Sequence, residues 1–385
     1  MTKDRARGTV QRGEAGAFRR YVREWVRANA PAPGGPYDQW ERRLLGARLI
    51  CPAWPRAYGG SALGPLDVLA LAEECARAGA PLVRRGVGEH LIGPAVLEHG
   101  TPAQRSALLP GIVSGADRYC LGFSEPDHGS DLAAVATAGE VRGEEVVVSG
   151  VKTWVADPHR ANMVAVLCRT SPASPARDGL SLVLVPLASA NGVRVRRVRE
   201  LTGSAGLGEV RFEGARAPLS HVIGGVGGGW AAAMTALSHG RAHEAASAHL
   251  VFEERFWELV RQARKSGRSQ EPAVRSRLAW AYTRITLMRA AGLRLAARIA
   301  AGKDTGAEAA VAALARSEFE RRFGEIAVDV LGAAALVRPE GAGYGLSEWQ
   351  EALLAGRGAT IGAGTGEVRR NVLAERVLGL PREAG

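Results

Sequence analysis

Residues able to do chemistry concentrate at one stretch: Tyr119-Cys120-Leu121-Gly122-Phe123-Ser124-Glu125-Pro126-Asp127-His128-Gly129-Ser130-Asp131. Pro126 and Gly129 break any helix there, and the hydroxyls of Ser124 and Ser130 can hydrogen-bond a polar ring or a phosphate at close range. Taken alone, the stretch is a turn between elements, and most such turns bind nothing. Other chemical signatures are missing. Gly224-Gly225-Val226-Gly227-Gly228-Gly229 and Gly362-Ala363-Gly364-Thr365-Gly366 both fail the G-x-G-x-x-G spacing, and neither follows a strand in a βαβ unit. There is no Walker A loop, no H-E-x-x-H and no G-x-S-x-G elbow. The cysteines Cys51, Cys75, Cys120 and Cys168 lack metal-ligand spacing, so no metal is expected and reduced cytosolic thiols are.

The elements that must position this stretch change character on either side of it. From about Ala17 to Asp117 the pattern is helical. Phe18, Val22 and Trp25 share a face, Cys51 to Gly60 makes a rigid break, and Pro65 opens a helix bearing Val68, Leu71, Ala72 and Cys75. From Tyr119 to about Gly225 short apolar runs bounded by Gly, Pro and Asp read as strands, with Arg142-Gly143-Glu144 a hairpin turn. No long helix separates them, so an antiparallel sandwich or barrel is expected. From Trp230 the chain is helical again. Val274, Leu278, Ala281, Ile285, Met288, Gly292, Leu295 and Ile299 form a seam suited to an antiparallel bundle. Thr305 with Glu308 predicts a capping box, Gly332 a helix stop, and Gly356-Arg357-Gly358 and Gly362-Ala363-Gly364 breaks in the last helix pair. The fold class is therefore α+β in three domains: 1–117 helical, 118–226 β, and 227–385 a helical bundle.

Composition suits that size. At 385 residues, 46% hydrophobic and 23% charged, the chain can bury a large core. No apolar run approaches the roughly 18 residues that span a bilayer, and Met1-Thr2-Lys3-Asp4-Arg5-Ala6-Arg7 has no apolar segment behind it, so a cytoplasmic protein is expected. The formal charge of +11 comes from scattered arginines without aromatic interleaving. That argues against nucleic acid and suits a phosphate-bearing acyl carrier.

Phe123-Ser124-Glu125-Pro126-x-x-Gly129-Ser130-Asp131 followed by Gly150-Val151-Lys152-Thr153-Trp154 resembles the paired flavin-contacting motifs of the acyl-CoA dehydrogenase family. The resemblance runs through Trp54-Pro55-x-x-Tyr58-Gly59-Gly60, Gly203 to Phe212, Pro218, Gly228-Gly229-Trp230 to Arg241, Thr360 to Thr365, and Ala374 to Pro381. It implies a dimer or tetramer holding FAD at a subunit interface and acting on an acyl-CoA or acyl-carrier-protein thioester. Phe123 and Ser124 would face the flavin ring, and Gly129 and Ser130 the flavin and the thioester tail. Trp154 would pack against the isoalloxazine, its alternative being an ordinary core tryptophan. Arg268 would reach a neighbouring subunit's pyrophosphate or simply cap a helix end in solvent, Thr365 would contact the FAD phosphates, Glu367 would be a further cofactor-binding residue, and Arg241 would join Ser130 at the substrate.

The same resemblance exposes three departures. The family's reaction needs a carboxylate to take the α-proton while a β-hydride passes to flavin. The two positions that supply it are Ala363 and Gly240 here, and neither side chain can accept a proton. Ala156 stands where a hydroxyl often bonds the flavin. Asp127-His128 replaces small residues, which makes His128 a candidate base, with Asp157 and His239 less favoured; a surface loop histidine is the alternative. Three functional readings result: an acyl thioester dehydrogenase whose base is missing, displaced or supplied by a paralogous partner; a flavin-dependent hydroxylase or oxidase on this fold; or a non-catalytic partner subunit.

Overall fold

Apolar residues recurring at helical spacing build the first layer. The computed structural model describes residues 3–32, 35–172, 174, 177–337, 345–362 and 364–381, with side chains at all of these except residues 3–15, Arg241 and Glu244. Helices α1 (Lys3–Asn29), α2 (Tyr37–Gly46), α3 (Pro65–Arg77), α4 (Gly93–His99) and α5 (Pro102–Ser114) pack around Val22, Trp40, Ile50, Ile92 and Leu109. Thr101 and Gln104 close a capping box on α5, with Gln104 N–H donating to Thr101 Oγ1 (3.2 Å) and Thr101 N–H to Gln104 Oε1 (2.8 Å). The Gln104 amide also donates to the carbonyls of Ser220 and Val222, which ties α5 to the β domain.

Strands β1 (Tyr119–Gly122), β2 (Ala138–Arg142), β3 (Glu145–Ala156), β4 (Met163–Arg169), β5 (Leu180–Pro186), β6 (Val193–Val198), β7 (Leu207–Pro218) and β8 (Val222–Ile223) form one sheet in the order β6-β7-β3-β2-β4-β5-β8. The pairings are antiparallel except at β4, which receives β1 in parallel along Tyr119↔Met163 to Gly122↔Val166 and β2 at Ala138↔Arg169. The β2–β3 hairpin lies between β1 and β4 in sequence, and that excursion brings the chain back running in β1's direction. One sheet face packs on the helical domain through Leu167, Leu182 and Leu184, and the other closes on Val148, Val166 and Phe212.

The last layer is α6 (Gly229–Lys265), α7 (Pro272–Ala300), α8 (Gly306–Leu331), α9 (Glu348–Ala359) and α10 (Gly366–Val372). The seam along α7 is buried at Val274, Ala281, Ile285, Gly292 and Leu295, while Ile299 at its end is exposed. Gly332 ends α8 with φ 60°, as its position suggests. Two turn expectations need correcting. Thr305 makes no side-chain cap; Asp304 Oδ1 accepts the Gly306 N–H instead (3.0 Å), and Glu308 pairs with Arg298 (2.8 Å). Helix α9 runs unbroken through Gly356-Arg357-Gly358. A Cβ on Gly356 would lie 3.1 Å from Arg321 Cα, so that glycine allows α9 to approach α8 rather than ending it.

Candidate active site

Strand β1 delivers the 123–131 loop to the middle strand β3, and a buried ion pair fastens the two. Lys152 is fully buried on β3, and its Nζ donates to Glu125 Oε1 (2.8 Å) and to the Phe123 carbonyl (2.9 Å). Glu125 also accepts the backbone N–H groups of Ala136 (2.7 Å) and Thr137 (2.8 Å). Burial works to raise the Glu125 carboxyl, but Lys152 and these N–H donors outweigh it and hold the group at about 2. The loop closes on itself, with Glu125 N–H donating to the His128 carbonyl (2.9 Å) and His128 N–H to the Glu125 carbonyl (3.2 Å). Thr153 N–H then donates to the Ser124 carbonyl (2.9 Å), which sets Trp154 beside the loop.

Strict alternation along β3 would put Trp154 on the same inward face as Lys152. The pairing of β3 with β7 slips between Lys152 and Val155, so Val155 is buried and Trp154 turns outward. The indole is 63% exposed, and its backbone is held at φ 56°, a left-handed conformation that costs about 1 kcal/mol or more in a bulky residue. A strained, rigidly held, exposed tryptophan is not a core tryptophan.

Around it the loop presents a polar, open face. Gly129 and Ser130 are exposed, a Cβ on Gly129 would meet nothing within 4 Å, and Ser124 is half-buried. An aromatic plate edged by hydroxyls and backbone donors fits a planar, polar-rimmed ring such as a flavin. Phe123 differs from expectation: its side chain is buried in the core, which leaves only its backbone for a ligand. Ala156 and Asp157 are exposed next to Trp154, and His128 is half-buried in its turn.

The remaining sequence-predicted residues belong to the helical bundle. Arg268, between α6 and α7, donates to both oxygens of Glu271 (2.8 and 3.0 Å) and to the carbonyls of Asp329 and Val330 at the end of α8. Within the protomer it is a helix-terminating arginine. Thr365 caps α10 by accepting the Val368 N–H (3.2 Å), and Glu367 is exposed two residues on, in the first turn. Arg241 lies on α6 with its side chain outside the described residues, as does all of Ala363. Gly240 is buried on α6, where an added Cβ would stand 3.3 Å from Leu91 Cγ, and His239 beside it is exposed.

Three family models match the chain in order: the acyl-CoA dehydrogenase N-terminal domain over 7–116, the middle domain over 120–215 and the C-terminal domain over 227–378. The acyl-CoA dehydrogenase IpdE1 of Mycobacterium tuberculosis is 37% identical over 95% of this chain and 98% of its own length. This chain belongs to the acyl-CoA dehydrogenase family. IpdE1 of Mycolicibacterium smegmatis is 35% identical over 96% of this chain and 99% of its own. A solved structure described as the Tcur3481-Tcur3483 steroid ACAD superposes with a TM-score of 0.80 at 28% identity, covering 97% of this chain and 98% of that one.

Acyl-CoA dehydrogenases are FAD-dependent oxidoreductases acting on a CH–CH bond, and the Trp154 face is built on the motif pair the resemblance marked. Sequence reasoning missed the Glu125–Lys152 pair that holds that face together. A signal was present: Val146, Val148 and Lys152 share the parity of a buried strand face, and a lysine there needs a buried acid. Among the described residues no cluster of three or more His, Cys, Asp or Glu could hold a metal, and no helix is long and apolar enough to cross a membrane.

Proposed function

We propose that this chain is one subunit of an FAD-dependent dehydrogenase that removes the α-proton and β-hydride of an acyl-CoA. The α-proton goes to a group outside the two usual positions, on a displaced side chain or on a paralogous partner. The exposed Trp154, held at a positive φ beside the lashed 123–131 loop and on the family's flavin-contacting motif pair, carries this reading, because backbone strain of this kind clusters at ligand sites. FAD, when bound, supplies the hydride acceptor. Trp154 stacks the ring and excludes water from one side, while Ser124, Gly129 and Ser130 orient its edge. Ser130 and Arg241 hold the thioester. Arg268 and Thr365 serve the phosphates across a subunit boundary, for which Arg268 must leave Glu271, and Glu367 is a further cofactor contact. Support for a two-chain assembly and a bulky ring-bearing acyl group comes from the solved relative, whose name pairs two components and calls it a steroid ACAD. The tight approach of Leu91 to Gly240 supports a base from elsewhere, since a carboxylate side chain at Gly240 would have to displace Leu91.

Anaerobic flavin bleaching by a panel of acyl-CoA thioesters tests this. The purified chain is expected to carry flavin and to bleach slowly, and Ala363→Glu to accelerate bleaching at least 100-fold, the usual contribution of a positioned base. Bleaching by the native chain alone at the rate of Ala363→Glu would overturn a base supplied by a partner and leave a displaced side chain of this chain as the acceptor.

A further inference from the structure

The chemistry above leaves a second set of polar side chains unused. Where the helical domain leans on α6, the ring of His90, in the π-helical turn Gly88–Ile92, stacks on His243 with centroids 3.5 Å apart and planes 17° from parallel. The Arg84 guanidinium donates to His243 Nε2. Arginine offers only donors, so this nitrogen is the acceptor and the His243 proton sits on Nδ1. His90 Nε2 is buried with no hydrogen-bond partner; its nearest carboxylate oxygen, on Glu89, is 3.7 Å away. Burial, the facing ring and Arg84 push His90 down to about 2, and burial with Arg84 pushes His243 down to about 3, so both rings are neutral. Glu89 accepts the Arg85 N–H (2.9 Å), and burial pushes its carboxyl up toward the neutral form.

Two cavities meet at Arg84 and His243. A cleft of about 520 Å³ between α3, α6 and α8 is bordered by Arg84 and His243, and a smaller cavity of about 60 Å³ with apolar walls at Val68, Leu71 and Val83 reaches the same two residues. A polar pair on the shared wall of two recesses, beside an orphaned buried nitrogen, is costly unless something hydrogen-bonds to it. The site also lies close to the expected chemistry. Gly240 precedes His243 by three residues on α6, roughly 4.5 Å along the axis, and Leu91, next to His90, abuts Gly240.

We propose that Arg84 and His243, the latter held by the stacked ring of His90, bind an acceptor oxygen, ketone or carboxylate, that the substrate's acyl group carries beyond its reacting carbons. This rests on the acyl-CoA reading above. Arg84 and the His243 Nδ1–H supply donors, and the apolar walls take the carbon skeleton between that oxygen and the thioester.

Calorimetric binding of three CoA thioesters of equal chain length to the full-length chain provides the test: octanoyl-CoA, 7-oxo-octanoyl-CoA and 7-carboxyheptanoyl-CoA. One or both oxygenated thioesters are expected to bind about tenfold tighter than octanoyl-CoA, as one charge-assisted hydrogen bond allows. Whichever is favoured identifies the oxygen as ketone or carboxylate. Arg84→Met should abolish that preference and leave octanoyl-CoA binding unchanged, which also reports an intact fold. Equal affinity for all three, or an equal loss for all three in Arg84→Met, overturns this assignment alone. Binding of none of them overturns the acyl-CoA reading and this assignment with it.

Discussion

At the scale of single residues, Trp154 separates what the fold needs from what a ligand needs. Its indole covers little of the protein, and its φ of 56° suits glycine better than tryptophan. Trp154→Gly is therefore expected to leave the flavin-free protein as stable as before or more stable by up to about 1 kcal/mol. The same change should strip flavin during purification, since the stacking surface is gone. Urea unfolding of the apoprotein and the flavin-to-protein absorbance ratio measure the two effects separately. A variant that loses stability and keeps its flavin would return Trp154 to a structural role. The resemblance pointed to this residue, but its exposure was not legible in the sequence. Parity along β3 places it inside, and only the slip against β7, a property of two strands 50 or more residues apart, turns it out. Phe123 shows the opposite case: adjacent to Ser124 in the motif, it spends its side chain on the core.

At the scale of elements, periodicity was the dependable signal and glycine the misleading one. The seam on α7, the Pro65 start of α3 and the hairpin at Arg142-Gly143-Glu144 all depend on local pattern, and the structure has them. A glycine, by contrast, marks either a chain break or a close approach, and the sequence does not say which. Along α9 and its neighbour one helical glycine is a close approach and another is neither. A Cβ on Gly324 of α8 would lie 2.7 Å from the Ala352 carbonyl oxygen and 2.7 Å from Leu353 Cα, backbone atoms that cannot swing aside. A Cβ on Gly358 of α9 would meet nothing within 4 Å. Helix propensity favours alanine by about 1 kcal/mol at both sites. Gly358→Ala should thus stabilise by about 0.5–1 kcal/mol, while Gly324→Ala should destabilise by about 1–3 kcal/mol as α8 and α9 are forced apart. Denaturant midpoints of the two variants check the contrast. Two gains of equal size would mean that the α8–α9 crossing is looser than these distances imply.

At the scale of the whole molecule, the buried titratable groups set how the protein meets acid. Two long-range pairings tie distant parts of the chain: His90 with His243, between the helical domain and α6, and Glu125 with Lys152, between the loop after β1 and strand β3. Both histidines are depressed from the ordinary 6.5, to about 2 and about 3, so below pH 6.5 the unfolded chain takes up protons that the folded one refuses. Stability is then full above pH 6.5 and falls as the pH drops, at most about 1.4 kcal/mol per pH unit for each ring and less for whatever part solvent reaches. Glu125, depressed from 4.5 to about 2, acts in a lower window: its contribution is complete above 4.5 and is lost between there and about 2. A chain already at +11 also gains repulsion as carboxylates neutralise, so acid sensitivity alone proves nothing about these groups. The variants separate the causes. A His90→Gln and His243→Gln double variant should flatten the stability profile between pH 6.5 and 4.5 and reduce the slope below it to the carboxylates' share, whereas Glu125→Gln should lessen the slope only below 4.5. Urea midpoints at half-unit intervals from pH 8 to 3 would show this. A native profile that stays level from 6.5 to 4.5 would mean the imidazoles accept protons in the folded state, and that the seam between the helical domain and α6 opens to water far more readily than its packing indicates.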